Sequence, residues 1–506
     1  MENRVYNYLN EKAPPVREDR LKACSAFGGS CCALSEGIRK GCLNGTRRQF
    51  SQTQGCTLVL SLAILNTVRN AVIVVHGPIG CGGGNIFFAG ISKMFKQLRD
   101  PKAEGLIWIN TNLDEADSIS GGEAKLKEAI LFAEEEFRPE AIIVVNSCVP
   151  AIIGDDVESV AKDLQKRIAA KIVTVHCEGF KSKIMATAYD SVYHGILRNL
   201  VIGNEKPQKD FIDDEERYKA ELVKSKTVNL LNVSSMSHSD ELELKRILEA
   251  LGVKVRILPC YSTPEDFEEI HEAALNVSIC STHDDYFVGH LKEHYNIPYI
   301  LETIPIGIEN TNKWVLDIAE HFGLRQEAQR LVEYETRELN KALEPYKKAL
   351  ANKTVFLAGG EIRVLATAEL LQDLGLEVLG MKGYHFDEFG EKLIPTVKNN
   401  DKMVFNIATG QPFEQSNLLK NLKPDVYVGH VGGNVWAAKQ GLPVFPIFSQ
   451  AVNYMGYSGV FEVARRLNRI LKNNSFNKNI SKHTRLPYYD SWYEEDPFKY
   501  IENQGK

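Results

Sequence analysis

Short apolar, β-branched runs recur along the chain, each followed by a turn and then by a stretch with helical spacing. They are NAVIVV from 70, EAIIVV from 140, KIVTV from 171, TVNLL from 227, KVRIL from 254, LNVSI from 275, TVFLA from 354, MVFNI from 403, DVYVG from 425 and PVFPIF from 443. Runs of this length without apolar–polar alternation predict parallel strands covered on both faces. The helices between them predict an α/β fold of open, doubly wound, Rossmann-like sheets. In such sheets ligands gather beyond the carboxyl ends of the strands. Many of the cysteines, paired glycines and histidines fall at that edge.

Two charged stretches poor in strand pattern, 204–226 and 335–353, read as linkers. They predict an irregular N-terminal arm (1–50), three α/β units (51–225, 226–352 and 353–475) and an aromatic, charged tail (476–506) that docks on a surface. The length of 506 residues agrees with about three domains.

Composition narrows the function. With 44% hydrophobic and 25% charged residues the chain is an ordinary globular protein, and its net charge of −6 comes from interspersed signs. No basic run suits a phosphate backbone, so nucleic acid is not an expected partner. The first residues, MENRVYNYLNEK, are polar, and no apolar stretch approaches the roughly 20 residues needed to span a bilayer. A cytoplasmic protein without membrane contact is expected. In a reducing compartment the 10 cysteines favour metal ligation or catalysis over disulfides.

Three cysteines stand out by context: Cys56 in SQTQGC, Cys81 in HGPIGCGGG and Cys148 in NSCVPAIIGDD. The last two leave predicted strands at glycine- or proline-marked turns, where a thiolate would face the functional edge. Widely spaced thiolates that only folding can gather suit an iron–sulfur cluster. Three buried thiols are the alternative reading, and zinc is disfavoured because no CxxC pair occurs.

QTQGC, VVHGPIGCG, the SCxxxxIGDD segment and VTVHCEGF, followed by NVSIC, FLAGGE, DLGLEVLG, KPDVYVGH and QGLPVFPIF, resemble in order and spacing the alpha chain of the nitrogenase component 1 family over about residues 50–475. The resemblance implies that Cys56, Cys81 and Cys148 bind half of a P-type 8Fe-7S cluster, a beta-type subunit supplying the rest in an α2β2 assembly. It implies that Cys280 ligates one end of a large catalytic iron–sulfur cofactor whose heterometal is left open, an iron-only form included. It also places Gly359 and Gly360 beside that cofactor, where glycine lets backbone N–H groups approach. Cys177 matches without a cluster role. Cys24, Cys31, Cys32 and Cys42 lie outside the match, and an extra metal site there is a lesser expectation; Cys260 has no motif.

The pattern departs from nitrogen-fixing members. No histidine occurs in PVFPIFSQAVNYMGYSG, where the second cofactor ligand is expected, and Phe448 or a neighbour takes that place. Met185 and Tyr189 stand where a glutamine and a histidine are expected, Ala89 for an arginine and Gly433 near an expected lysine. The chain therefore looks more like nitrogenase-like reductases of the methylthio-alkane reductase type, which cleave carbon–sulfur bonds. Tyr189 could donate a proton or hydrogen bond, and Met185 and Phe448 could line a softer, drier pocket; packing is the alternative for each. His430 is the better functional histidine, His76 reads as structural, and His283 and His385 are weaker candidates.

The chain lacks a GxxxxGK[ST] loop, so ATP hydrolysis would belong to a separate iron protein that feeds electrons through the P-type cluster to the cofactor, where a small molecule is reduced. A true nitrogenase alpha chain remains an alternative. A second is a cofactor-assembly scaffold, although retention of Cys56, Cys81 and Cys148 together favours the enzyme. A third, from another class, is a metal-free α/β binding protein.

Overall fold

The computed structural model describes residues 8–502 apart from 41–42, 44, 53–54, 206–212, 233 and 303. Cys42 therefore lies outside the described residues.

The strand Ala71–His76 shows how the sequence builds the fold. All six of its residues are buried, and it pairs in parallel with Ile107–Asn110 on one side and Ala141–Asn146 on the other. Lys171–His176 extends the sheet beyond Ala141–Asn146. Successive side chains point to opposite faces. Val72, Val74, Ile142 and Val144 pack with Leu126 and Ile130 of helix Glu123–Phe137 and with Val160 and Leu164 of helix Val157–Gln165. Ile73, Val75, Ile143 and Val145 join the large central core. Both faces are covered, which is why neither needs polar residues; each buried Val or Ile contributes about 1.5–3 kcal/mol.

A second all-parallel sheet runs in the order Tyr299–Ile300, Leu275–Ser278, Thr227–Leu231, Lys254–Leu258. A third sheet has six strands, in the order Ala26–Ser30, Val404–Ala408, Glu377–Gly383, Thr354–Gly359, Val426–Gly429, Val444–Pro446. It is parallel except for Ala26–Ser30. All ten runs that predicted strands form strands, and the α/β, parallel-sheet class holds.

The arm is more ordered than the expected irregular segment. Ala26–Ser30 adds an antiparallel edge strand, and Arg17 and Arg20 are buried. Arg17 Nη2 donates to Asp190 Oδ1 (3.0 Å) and Asp285 Oδ1 (2.7 Å), and Arg20 Nη2 to Asp190 Oδ2 (2.7 Å). Periodicity misses these contacts because they lie far apart in sequence. The tail docks on this same chain: Trp492 Nε1 donates to Phe413 O (2.9 Å), and Ile501–Glu502 pairs with Arg47–Arg48. The 335–353 segment belongs mostly to the helix Arg325–Leu350. Among the described residues no helix is long and apolar enough to cross a membrane.

Candidate functional site

The four cysteines singled out by sequence all stand at helix N-termini. Cys56 immediately precedes Thr57–Leu65, Cys81 lies in the first turn of Ile79–Gln97, Cys148 opens Cys148–Ile153 and Cys280 immediately precedes Ser281–Tyr295. The free N–H groups there favour a thiolate or another anion. In the free thiols burial outweighs that help: it raises the pKa of Cys81 and pushes Cys280 up to about 12. A bound metal reverses the balance, because its charge deprotonates a coordinating thiol outright.

Folding brings Cys56, Cys81 and Cys148 together. A Cβ placed on Gly179 would stand 3.3 Å from Cys56 Sγ and 3.7 Å from Cys148 Sγ, and both cysteines lie close enough to Cys81 to help raise its pKa. Among the described residues the three thiols do not form a group tight enough to share a single ion. They suit a larger cluster. Around them Ile79, Ile119, Ile152 and Phe180 are exposed, an apolar rim of the kind a protein partner covers. A Cβ on Gly179 would also approach Cys56 Cβ to 2.8 Å, so Gly179→Ala is expected to displace Cys56. If the three thiols hold iron, iron analysis should show less of it in the variant while the circular dichroism spectrum stays unchanged.

Cys280 opens onto a cavity of about 760 Å³, within the usual range for ligand pockets. Loops beyond the carboxyl ends of strands build much of it. They contribute Cys280 after Leu275–Ser278, Gly360 after Thr354–Gly359, Tyr384 after Glu377–Gly383, Gly410 after Val404–Ala408, His430 after Val426–Gly429 and Phe448 after Val444–Pro446. Met185, Tyr189 and Gly359 line it too. The Tyr189 and His283 rings pack at a tilt of 36° with centroids 4.2 Å apart, and burial raises the Tyr189 pKa, so its phenol stays protonated. His430 has its ring open to the cavity but crowded by protein, which lowers its pKa and keeps it neutral at pH 7.

Phe448 lies on left-handed backbone with φ of 59°, a strained conformation for an aromatic residue. A Cβ on Gly359 would meet its ring at 2.7 Å, so Gly359 makes room for Phe448, whereas nothing lies within 4 Å of a Cβ on Gly360.

Sequence reasoning missed Arg363, which lines the cavity and is buried. Its Nη1 donates to Ser235 Oγ, but Nε and Nη2 have no hydrogen-bond partner. A buried guanidinium with free donors is costly unless an anion meets it. That orphaned cation beside Cys280, with the open backbone at Gly360, fits an anionic metal–sulfur group. In sequence Arg363 looks like a solvated position of an ordinary helix; only the near-complete burial of the first three turns of Glu361–Asp373 distinguishes it.

Other candidates fall elsewhere. His76 is buried against Asp155 (3.0 Å) and Thr111 (3.1 Å), a structural network away from the cavity. Cys177 is buried, its thiol 3.6 Å from Asn146 O. Cys24 and Cys31 are buried and Cys32 is exposed; among the described residues they join no metal-ligand group.

Residues 56–472 match the family described as nitrogenase component 1 type oxidoreductase. The chain is 29% identical over 440 residues to the nitrogenase iron-molybdenum cofactor biosynthesis protein NifE of Rippkaea orientalis, covering 85% of this chain and 87% of that one. It is 26% identical to the nitrogenase molybdenum-iron protein alpha chain of Methanosarcina barkeri, covering 92% of each. A solved nitrogenase Cp1 structure superposes with a TM-score of 0.71 at 21% identity, over 87% of this chain and 93% of that one, which shows the fold. The chain belongs to the nitrogenase component 1 type oxidoreductase family.

Proposed function

We propose that the chain is the cofactor-holding, catalytic subunit of a nitrogenase-like reductase. The observation that carries this is the adjacency of the two sites: Gly55 lines the cavity, and Cys56, the next residue, stands in the thiol patch. Metal held at the patch would therefore lie one residue from the wall of the chamber that Cys280 enters, which suits electron passage between them. Cys56, Cys81 and Cys148 would hold half of a P-type cluster at the rim of Ile79, Ile152 and Phe180, and a beta-type subunit would cover that rim. A separate ATP-dependent iron protein would supply the electrons.

In the cavity Cys280 would ligate an iron–sulfur cofactor, with Arg363 facing its negative charge. Such a group supplies low-potential electrons to a bound substrate. Met185, Phe448, Ile91 and Phe95 line the chamber, a largely apolar surface that excludes water and suits a neutral substrate. The protonated phenol of Tyr189 can donate a hydrogen bond. A methylthio-alkane fits this chemistry: two electrons and two protons convert R–S–CH3 into R–H and methanethiol, one proton going to carbon and one to sulfur.

A cofactor-assembly scaffold is the second reading. It is favoured by Phe448, a residue without a ligating atom, at the position expected of a second cofactor ligand. Similarity to the biosynthesis protein of Rippkaea orientalis agrees with it.

Turnover of the anaerobically purified complex with iron protein, ATP and a small thioether separates the readings. The reductase reading expects ATP-dependent hydrocarbon release. Iron without turnover, but with transfer of cofactor to an acceptor protein, supports the scaffold.

A further inference from the structure

Beside the cavity lies a buried charged cluster to which no role has yet been given. His385 lines the cavity, and its Nε2 stands 3.0 Å from Glu361 Oε1 and 3.5 Å from Asp387 Oδ2. Thr282 Oγ1 donates to the same Glu361 oxygen at 2.9 Å. Glu361 Oε2 and Asp387 Oδ2 have no hydrogen-bond partner, and His385 Nε2 approaches both carboxylates as a charge contact rather than an aligned hydrogen bond. The three side chains are almost wholly buried.

The charges around them do not balance without a proton on His385. Arg17 stands 3.7 Å from Asp387 Oδ2 but also pairs with Asp190 and Asp285, both shared with Arg20. Asp190, Asp285 and Asp387 thus share two guanidiniums, and among the described residues Glu361 forms an ion pair with His385 alone. A proton on His385 gives Glu361 its countercharge, and uncompensated buried charge is strongly disfavoured. The remaining groups toward His385 are neutral: burial and the neighbouring cations hold His283 well below the ordinary histidine range, and Tyr384 keeps its phenol proton.

We infer that His385 is the titratable cation of the cavity, an imidazolium braced by Glu361 and Asp387 that faces the anionic iron–sulfur ligand held at Cys280. This rests on the cofactor-holding reading above, shared by the reductase and the scaffold. The sequence suggested Tyr189 and His430 for polar work in the chamber, but the first titrates too high and the second too low to carry charge at pH 7. Arg363 carries charge but does not exchange it. Glu361 and Asp387 raise His385 to about 9 against the opposing cost of burial. A raised pKa means that the charge, and whatever it stabilises, is fully present at pH 6.5 and below and is lost as pH rises through about 9.

The test is the electron paramagnetic resonance signal of the dithionite-reduced, anaerobically purified complex, followed from pH 6.5 to 10 alongside its iron content. Wild type is expected to show a reversible change in the cofactor signal with its midpoint near 9. His385→Gln should abolish that change with iron retained. Glu361→Gln should move the midpoint down by about one pH unit or more, since one buried carboxylate partner is worth at least that shift. A packing role for His385 would move neither midpoint. The inference is overturned if wild type is pH-invariant, if the transition survives in His385→Gln, or if Glu361→Gln leaves it in place. It is also overturned if wild type holds a non-iron divalent metal that His385→Gln loses, because an ion would then stand where the proton is placed. A complex without cavity iron in any form contradicts the cofactor-holding reading itself, and with it this inference.

Discussion

Cys280→Ala is expected to abolish the cavity-side iron and lower turnover by more than about 100-fold, since removing a ligand should exceed the 10–100-fold typical of its supporting residues. The iron of the Cys56, Cys81 and Cys148 patch should remain, because Cys280 is not among its thiols. Fold stability should change by only about 1 kcal/mol: a small side chain is lost from beside an existing cavity, and no paired charge is broken. Separate quantitation of iron and of thermal unfolding checks both halves. The Cys56→Ala counterpart should do the reverse, removing patch iron while Cys280 keeps its own ligand.

Arg17→Leu is expected to give the largest loss of stability of any single change in the arm. The guanidinium is buried and meets Asp190, Asp285 and Asp387. Its removal leaves carboxylates whose desolvation has already been incurred, a situation that costs about 3–5 kcal/mol. Arg20 keeps its bonds to Asp190 and Asp285, so Asp387 suffers most. A fall of about 3–5 °C in the apparent unfolding temperature is expected for a chain of this length. The exposed pair Lys12–Asp156, also formed by the arm, is the control: Lys12→Ala should stay within about 0.5 kcal/mol. Equal effects of the two substitutions would show that the arm is held by surface contacts rather than by the buried network.

The parts of this fold that sequence makes plain are those where one local rule decides the outcome. A strand buried on both faces must be apolar throughout, so Ala71–His76 and Ala141–Asn146 are visible at once. Strands where the rule relaxes were missed. Ile107–Asn110 is an edge strand with every residue half-buried. Glu377–Gly383 contains two glycines and Lys382, whose amine donates to Gly410 O and Gln415 Oε1 inside the protein. Ala26–Ser30 includes Gly28, where a Cβ would run into the ring of Phe498, so its reason lies in the tail, hundreds of residues away.

The candidate site divides in the same way. The cysteines could be found because turns and glycines mark the places where strands release their chemistry. Arg363 and Glu361 could not, and His385 stood only as a weaker candidate, because their importance comes from burial and from neighbours brought in by other elements. Gly359 lines the cavity as expected of a cofactor neighbour, and the structure adds a second reason for it in the Phe448 ring it accommodates. The left-handed backbone of Phe448 has no sequence signature at all.

Two distinct iron–sulfur sites in one chain are what the proposed function requires above all. Mössbauer spectroscopy of the iron-enriched complex, purified anaerobically with its partner, measures this in one experiment when wild type is compared with Cys280→Ala. Wild type is expected to give two resolved sets of iron signals, of which the substitution removes one and leaves the other. A single set unaffected by Cys280→Ala, or a protein without iron, would contradict the proposed function.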